Sequence, residues 1–415
     1  MDSRKIILLT LKWILICSLI GIFSGSASAF LLVALEWAAQ LRTQNSGFIW
    51  LLPIGGLLIG LLYHYYGKDV VKGNNLLLEE YQIPKKTIPL KMAPFVLIGT
   101  IITHLFGGSA GREGTAVQMG GAIADQFTRI FHLNASDRKT LLILGISAGF
   151  ASVFGTPLAG AIFALEILYC SKINLKSSIL SFVVAFFAYY TVALWGVHHT
   201  LYSIPITPEL NLENVLWIIP ISILFGLAAM LFSRSTHFWS SLFSKIISYP
   251  PLRPFIGGII LALIFYYFNA AKFMGLGVPS IVEAFSKTNQ YYDFLLKILL
   301  TGFTLGAGFK GGEVTPLFFI GATLGSALSI FVPLPIALLA GMGFVAVFAG
   351  ATHTPIACAV MGIELFGIES AFFITIACFI AYLASGTIGI YHSQNVKGVK
   401  YHLYEKLKQH NLKNF

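Results

Sequence analysis

The residues best able to do chemistry in this chain are carboxylates set among glycines in otherwise apolar sequence. Glu113 stands in Gly107-Gly108-Ser109-Ala110-Gly111-Arg112-Glu113-Gly114-Thr115, and Glu313 in Gly311-Gly312-Glu313-Val314-Thr315-Pro316. Glycine and proline interrupt helices, so each carboxylate falls where a helix would begin anew. A helix start offers unpaired N–H groups and a positive dipole end. A Glu placed there can occupy an anion site when charged and leave it when protonated. An acid at membrane depth is expensive unless it is used or paired. Pairing Glu113 with its neighbour Arg112 is poor, because adjacent helical residues point apart. The competing reading of Glu313 is a first-turn charge that satisfies the dipole near Lys310. Both glutamates are therefore read as gating and proton-coupling residues. Thr115 and Thr315 either cap these helix starts or assist the proton or anion.

The two acids belong to a repeat. G-x-E-x-T occurs at Gly111–Thr115 and Gly311–Thr315, an offset of 200; Thr156-Pro157-Leu158-Ala159 recurs as Thr354-Pro355-Ile356-Ala357, an offset of 198. A Glu stands nine residues after each Pro, at Glu166 and Glu364, and Gly73 and Gly275 open a third matching pair. Three coincidences in one order at nearly one offset indicate a duplicated unit. Duplicated transporter units are often inverted, with the substrate site near the midplane where broken helices meet. Several helix starts aimed there favour an anion over a cation.

Composition says what must hold these loops. Of 415 residues, 56% are hydrophobic and 11% charged, against roughly 25% charged in a soluble domain. So few charges cannot cover a water-facing surface, so most of it faces lipid. Windows 13–35, 43–67, 92–111, 140–165, 177–208, 214–233, 254–271, 314–363 and 370–396 contain no Asp, Glu, Lys or Arg. Well over ten membrane elements are expected, all helical, since the period-two alternation of a barrel is missing. The first membrane unit is read as 1–208, the second as 209–396, and 397–415 as a short basic tail. The net charge of +10 comes from Lys and Arg clustered between apolar runs, which indicates membrane topology and not a nucleic-acid partner. Arg4, Lys5, Lys85–Lys86, Arg138–Lys139 and the tail lysines 397, 400, 406, 408 and 413 place both termini in the cytoplasm, with an even number of crossings. Ala27-Ser28-Ala29 resembles a signal-peptidase site, but the apolar run continues to Leu35, as in a retained first helix.

Other chemistry-bearing residues have plainer readings. Cys17, Cys170, Cys358 and Cys378 lack metal spacing and are read as small buried hydrophobes. No metal site or cofactor is expected. Glu166 and Glu364 are read as structural or cytoplasm-facing, Asp125 and Arg129 as an i,i+4 pair, and His198-His199 as part of a loop. An intramembrane enzyme using Glu113 with His104 or His353 is the remote alternative. It lacks HExxH, GxSxG or a paired-Asp motif.

Gly111-Arg112-Glu113-Gly114, Gly311-Gly312-x-x-x-Pro316 and Gly275-Leu276-Gly277-Val278-Pro279 resemble the CLC anion transporter and channel family over roughly residues 10–400. The resemblance implies an all-α, inverted-repeat membrane fold, a homodimer and one anion pathway per subunit. It makes Glu113 the gating glutamate and places the amides of Glu313 and Val314 and the Tyr391 hydroxyl at the anion. Gly73, Asn75, Gly111, Arg112, Gly114, Gly311, Gly312 and Pro316 become pathway-loop residues.

Departures narrow the resemblance. Chloride-type members carry G-S-G-I-P where this chain has Gly73-Asn74-Asn75-Leu76-Leu77, so Asn74 replaces an anion-touching Ser. An apolar residue is usual where Glu313 stands, and Pro where Thr115 stands. Chloride/proton exchangers use an inner glutamate where this chain has Ile167, with Glu166 one residue earlier. These features, with Tyr391-His392-Ser393-Gln394, resemble the CLC-type fluoride/proton antiporters. Fluoride is strongly hydrated, so stripping its water requires good donors. The Asn74 amide offers two protons where a Ser hydroxyl offers one. Fluoride is also the base of a weak acid and can share protons with a carboxylate. The expected activity is export of fluoride in exchange for protons across a bacterial-type inner membrane; a chloride/proton antiporter or a passive chloride channel is the alternative.

Overall fold

The computed structural model describes residues 3–168, 174–394, 400–401 and 404. Cys170 and the tail lysines Lys397, Lys406, Lys408 and Lys413 lie outside them. The described residues form sixteen α-helices and no strand, only an isolated bridge between Gly111 and Gly312. In chain order the first eight are α1 (Ser3–Gln44), α2 (Leu52–Tyr66), α3 (Asn74–Gln82), α4 (Met92–Leu105), α5 (Glu113–Ile130), α6 (Ala135–Phe154), α7 (Pro157–Ile167) and α8 (Leu175–Leu194). The second eight are α9 (Leu212–Ile246), α10 (Leu252–Tyr267), α11 (Val278–Ala284), α12 (Asp293–Gly306), α13 (Val314–Leu328), α14 (Ile336–Thr352), α15 (Pro355–Phe366) and α16 (Ala371–Ala384). Helix lengths run in a similar order through the two sets.

Four segments are long and apolar enough to cross a bilayer by themselves: Ser3–Gln44, Ser46–Tyr66, Leu175–Leu194 and Leu212–Ile246. Many others are short. α13 has 15 residues, roughly 22 Å at 1.5 Å per residue, against about 30 Å of hydrocarbon. Such a helix ends inside the membrane, where its terminus must find partners within the protein. α1 runs through Ala27-Ser28-Ala29 without a break.

Local sequence explains the breaks. α7 and α15 each begin with Pro directly after Thr156 or Thr354, where the missing N–H costs nothing. Asn134 caps α6 by accepting the Asp137 N–H at 2.9 Å, and Gly155 ends it at φ +74°.

Close helix contact fixes the two site-bearing helices. α5 packs on α6, and α13 on α14. A methyl group at Gly120 would lie 2.3 Å from the Gly145 carbonyl oxygen, and one at Gly321 only 1.9 Å from that of Gly343. Only small residues permit backbones this near, a usual way to bind helices where no hydrophobic drive exists between them.

Two ionic readings need correction. Asp125 does not pair with Arg129. Its oxygens accept from Arg138 Nε and Nη2, each at 2.8 Å, and from the Ile88 N–H at 2.7 Å. Arg138 also reaches Glu80 at 3.0 Å and is buried, so it is no part of a surface cluster. The planar guanidinium offers a two-bond fork to a buried carboxylate, which a single exposed i,i+4 contact cannot match. Cys17, Cys358 and Cys378 are buried and unpaired. Lys400, of the basic tail, folds back and donates to Ser385 Oγ at 2.9 Å.

Candidate anion and proton site

The two repeated loops meet head-on. Gly111 N–H donates to the Gly312 carbonyl at 2.6 Å, and Gly312 N–H donates back to Gly111 at 2.8 Å. This bridge draws the start of α5 against the start of α13. A side chain at Gly312 would lie 2.7 Å from the Gly114 amide nitrogen and 3.1 Å from that of Glu113. Gly311 reaches this contact at φ +156°. Pro316 sits in the first turn of α13, so no hydrogen-bonded amide is lost there.

Glu113 is buried, 2% exposed. Its Oε2 accepts the N–H of Arg112 at 3.1 Å and the N–H of Thr315 at 3.0 Å. The Thr315 hydroxyl donates to Oε1. The first repeat's carboxylate therefore crosses to the start of the second repeat's helix and draws on the donors there. Arg112 contributes mainly its backbone, for its Nε stands 3.8 Å from Oε1, too long for a hydrogen bond.

Glu313 caps α13 by position, yet its buried Oε2 has no hydrogen-bond partner, and neither has Asn74 Oδ1 or Arg112 Nε. A buried polar atom without a partner asks for an explanation; three in one place suit a site that handles a mobile ion and proton. Asn74 and Glu313 flank Gly114: a methyl group there would lie 3.0 Å from Asn74 Nδ2 and 3.4 Å from Glu313 Oε2. Gly73 precedes Asn74 at φ +57°, a conformation natural to glycine.

Tyr391 is buried within electrostatic range of both glutamates. Its segment is pinned by Asn75 Oδ1, which accepts the Ser393 N–H at 2.9 Å. Glu79 accepts from Ser393 Oγ at 3.0 Å, and Gln82 Nε2 donates to the Ser393 carbonyl at 2.7 Å. The structure thus gathers Glu113, Glu313, Asn74, Val314, Thr315 and Tyr391. It does not bring Thr115 to either carboxylate, because that hydroxyl pairs with Thr100 Oγ1 at 2.7 Å.

Glu166 and Glu364 form a reciprocal brace. Glu166 accepts from the N–H groups of Ile356 and Ala357 at 3.1 and 2.8 Å, and Glu364 from those of Leu158 and Ala159 at 2.9 and 2.8 Å. Each helix of the α7–α15 pair ends on a carboxylate that caps the other. His104 is held between the carbonyls of Thr100 and Ala110 at 2.8 and 3.1 Å.

Sequence reasoning missed the other wall of the site. A cavity of about 30 Å³ adjoins Glu113 and Thr315 and is closed by Phe154, Phe318, Phe344 and Tyr202. That space holds about one water. His199 separates it from a larger vestibule of about 420 Å³ lined also by His198, Thr200 and Tyr189. The expectation of a loop at His198-His199 holds, but the loop is this vestibule's wall. Polar residues inside the charge-free window 177–208 were the available signal.

The family described as voltage gated chloride channel matches residues 55–386. A "Chloride/fluoride channel protein" of Pseudomonas syringae pv. tomato is 48% identical over 412 residues, 97% of this chain and 91% of that protein. A solved structure titled as a CLC-type fluoride/proton antiporter is 35% identical with a TM-score of 0.90, covering 94% of this chain and 98% of the other. A slow cyanobacterial Cl-/H+ antiporter, at 20% identity and TM-score 0.80 over 95% and 97%, shares the fold. With an all-helical, multi-pass architecture whose broken helices meet at bridged loops, this chain belongs to the CLC family, the voltage gated chloride channel family of membrane transport proteins.

Proposed function

We propose that this protein exports fluoride in exchange for protons. The observation that carries this reading is the Glu113 carboxylate seated on the Thr315 amide and hydroxyl at the start of α13. A charged Glu113 competes with an anion for these donors; a protonated one cannot hold them as well and leaves. Protonation and anion entry are thereby linked at one seat. The relatives named for fluoride support the choice of anion, as does the chemistry of the walls. Asn74 supplies an amide in place of a hydroxyl, and Glu313 sets a second acid beside the seat.

In this mechanism Glu113 takes a proton from the vestibule at His199 and moves off α13. Fluoride from the other side occupies the seat, held by the amides of Val314 and Thr315, Asn74 and the Tyr391 hydroxyl. Glu313 and Thr315 handle the proton, or an HF-like pair, on the inner leg. Thr115 has no direct part and steadies α5 against α4. The pathway glycines Gly73, Gly111, Gly114, Gly311 and Gly312 allow the loops to approach. Residues 1–208 and 209–396 act as two inverted repeats, and 397–415 as a basic tail.

The basic loop between α2 and α4, with Lys68, Lys72, Lys85, Lys86 and Lys91, marks the cytoplasmic face. The 195–211 loop, without Lys or Arg, marks the other. Both termini are then cytoplasmic, in a bacterial-type inner membrane. Two copies associate through exposed apolar side chains such as Leu158, Ile356 and Phe372.

The test is release of fluoride and of chloride from loaded vesicles, tracked by ion-selective electrodes with external pH recorded. Fluoride release with proton uptake, and much slower chloride release, is expected. Equal release of both anions without a pH change would mean a passive channel.

A further inference from the structure

A basic cavity lies beside the site and serves none of these transport steps. It measures about 500 Å³ and is lined by Tyr63, His64, Lys68, Ser240, Arg253 and Lys310, among others. It lies between the carboxyl end of α2, the start of α10 and the carboxyl end of α12, and it opens beside Lys68, on the face marked cytoplasmic by its lysines. No Asp or Glu lines it among the described residues.

Lys310 links this cavity to the site. It lies three residues before Glu313, and Gly311 and Gly312 between them form the loop bridged to Gly111. Its ammonium stands 4.1 Å over the centre of the Tyr63 ring. Among the described residues it makes no ion pair within 4.0 Å. Its stem packs on Gly99, where a methyl group would come within 2.9 Å of Lys310 Cβ. A half-buried cation at membrane depth, set between an open cavity and a ring face with no carboxylate in ion-pair range, is costly to keep unless it is used. Lys310 is within electrostatic range of Glu313, whose Oε2 is buried without a partner. At position 167, where chloride/proton exchangers carry an inner acid, this chain has Ile167.

We infer that Lys310 carries protons between Glu313 and this side cavity, so that the inward proton leaves by a port of its own while fluoride enters past Tyr391. The inference rests on the antiport reading. The ammonium gives one N–H proton to cavity water. The neutral amine then takes the proton of the Glu313 carboxyl, directly or through one water: O–H breaks, N–H forms, and a carboxylate and an ammonium remain. The groups facing Lys310 are Tyr63, His64 and Lys68 from the α2 side, Arg253 from α10 and Glu313 from α13; α4 presents Gly99, and α9 presents Ser240.

The experiment measures proton uptake per fluoride released in proteoliposomes, with fluoride binding measured by calorimetry. Lys310→Met should lower proton uptake tenfold or more and leave fluoride binding within about twofold. Lys310→Arg, always charged, should fail in the same way, whereas Lys310→His should restore uptake with an optimum at lower pH. Where Lys310→Met does not fold, Ser240→Cys in a Cys170→Ser background gives the second arm. A cationic thiol reagent added from the cytoplasmic side should then slow proton uptake and leave fluoride binding unchanged. Wild-type coupling in Lys310→Met and Lys310→Arg, or no effect of the reagent, would overturn the inference. Wild-type protein that moves no protons would instead overturn the antiport reading.

Discussion

The loops at Glu113 and Glu313 carry the same G-x-E-x-T pattern, yet they do opposite things with their acids. Glu113 is saturated: two backbone N–H groups and a hydroxyl converge on its carboxylate. Glu313, one bridge away, keeps a buried oxygen with no partner. The asymmetry comes from the threonine two residues beyond each acid. Thr315 turns its amide and hydroxyl toward Glu113, while Thr115 turns its hydroxyl toward Thr100. In the antiport reading proposed above, a duplicated unit has become one seat with its plug, and one acid left free to trade protons. Repetition supplied the geometry, and the partners of two threonines separated the roles.

Among changes that leave Glu113 in place, replacing the free acid should have the largest effect. Glu313→Gln is expected to cut fluoride-driven proton uptake tenfold or more in vesicles while Glu113 keeps its seat; unimpaired uptake would make the two loops functionally alike. Thr315→Val tests the plugged side. In a Glu113→Gln background it takes one hydrogen-bond donor away from a charged anion, about 1.5–3 kcal/mol, so calorimetry should show fluoride binding roughly ten- to a hundredfold weaker than in Glu113→Gln alone. Unchanged affinity would mean that carboxylate and anion do not share donors.

Asn74→Ser should shift the ratio of fluoride to chloride release a few-fold toward chloride, because a filter's choice comes from the groups that line it. An unaltered ratio would take Asn74 out of the seat. The smallest effect lies farthest from the two loops. Glu166→Gln weakens one of the two reciprocal caps, by about 0.5–2 kcal/mol. A lower thermal midpoint with normal flux is expected, and a loss of coupling at full stability would instead give Glu166 a transport role.

Much of this was legible in the sequence because its signals were local or repeated. Glu113 and Glu313 stood out as acids at glycine breaks, and an offset near 200 tied their loops together before any contact was known. Asn74 and Tyr391 were placed through resemblance, since neither type is unusual in an apolar protein. The features that stayed hidden depend on which way a side chain turns. Thr115 and Thr315 are equivalent in sequence, and only packing against α4 or across the Gly111–Gly312 bridge separates them. Asp125 could be offered Arg129 one turn away, but Arg138 on the next helix presents the better fork. The aromatic wall of Phe154, Phe318 and Phe344 is drawn from three separate helices, and no short pattern announces it.

The central claim is that a single seat at the start of α13 holds either Glu113 or the anion, and that a proton on Glu113 decides which. Its most direct test is simultaneous recording of protons and fluoride in vesicles driven by a fluoride gradient, for the wild type and Glu113→Gln. Coupled movement in the wild type and proton uptake lost by a hundredfold or more in the variant, with fluoride still bound, is the predicted result. Proton uptake that survives in Glu113→Gln would contradict the account.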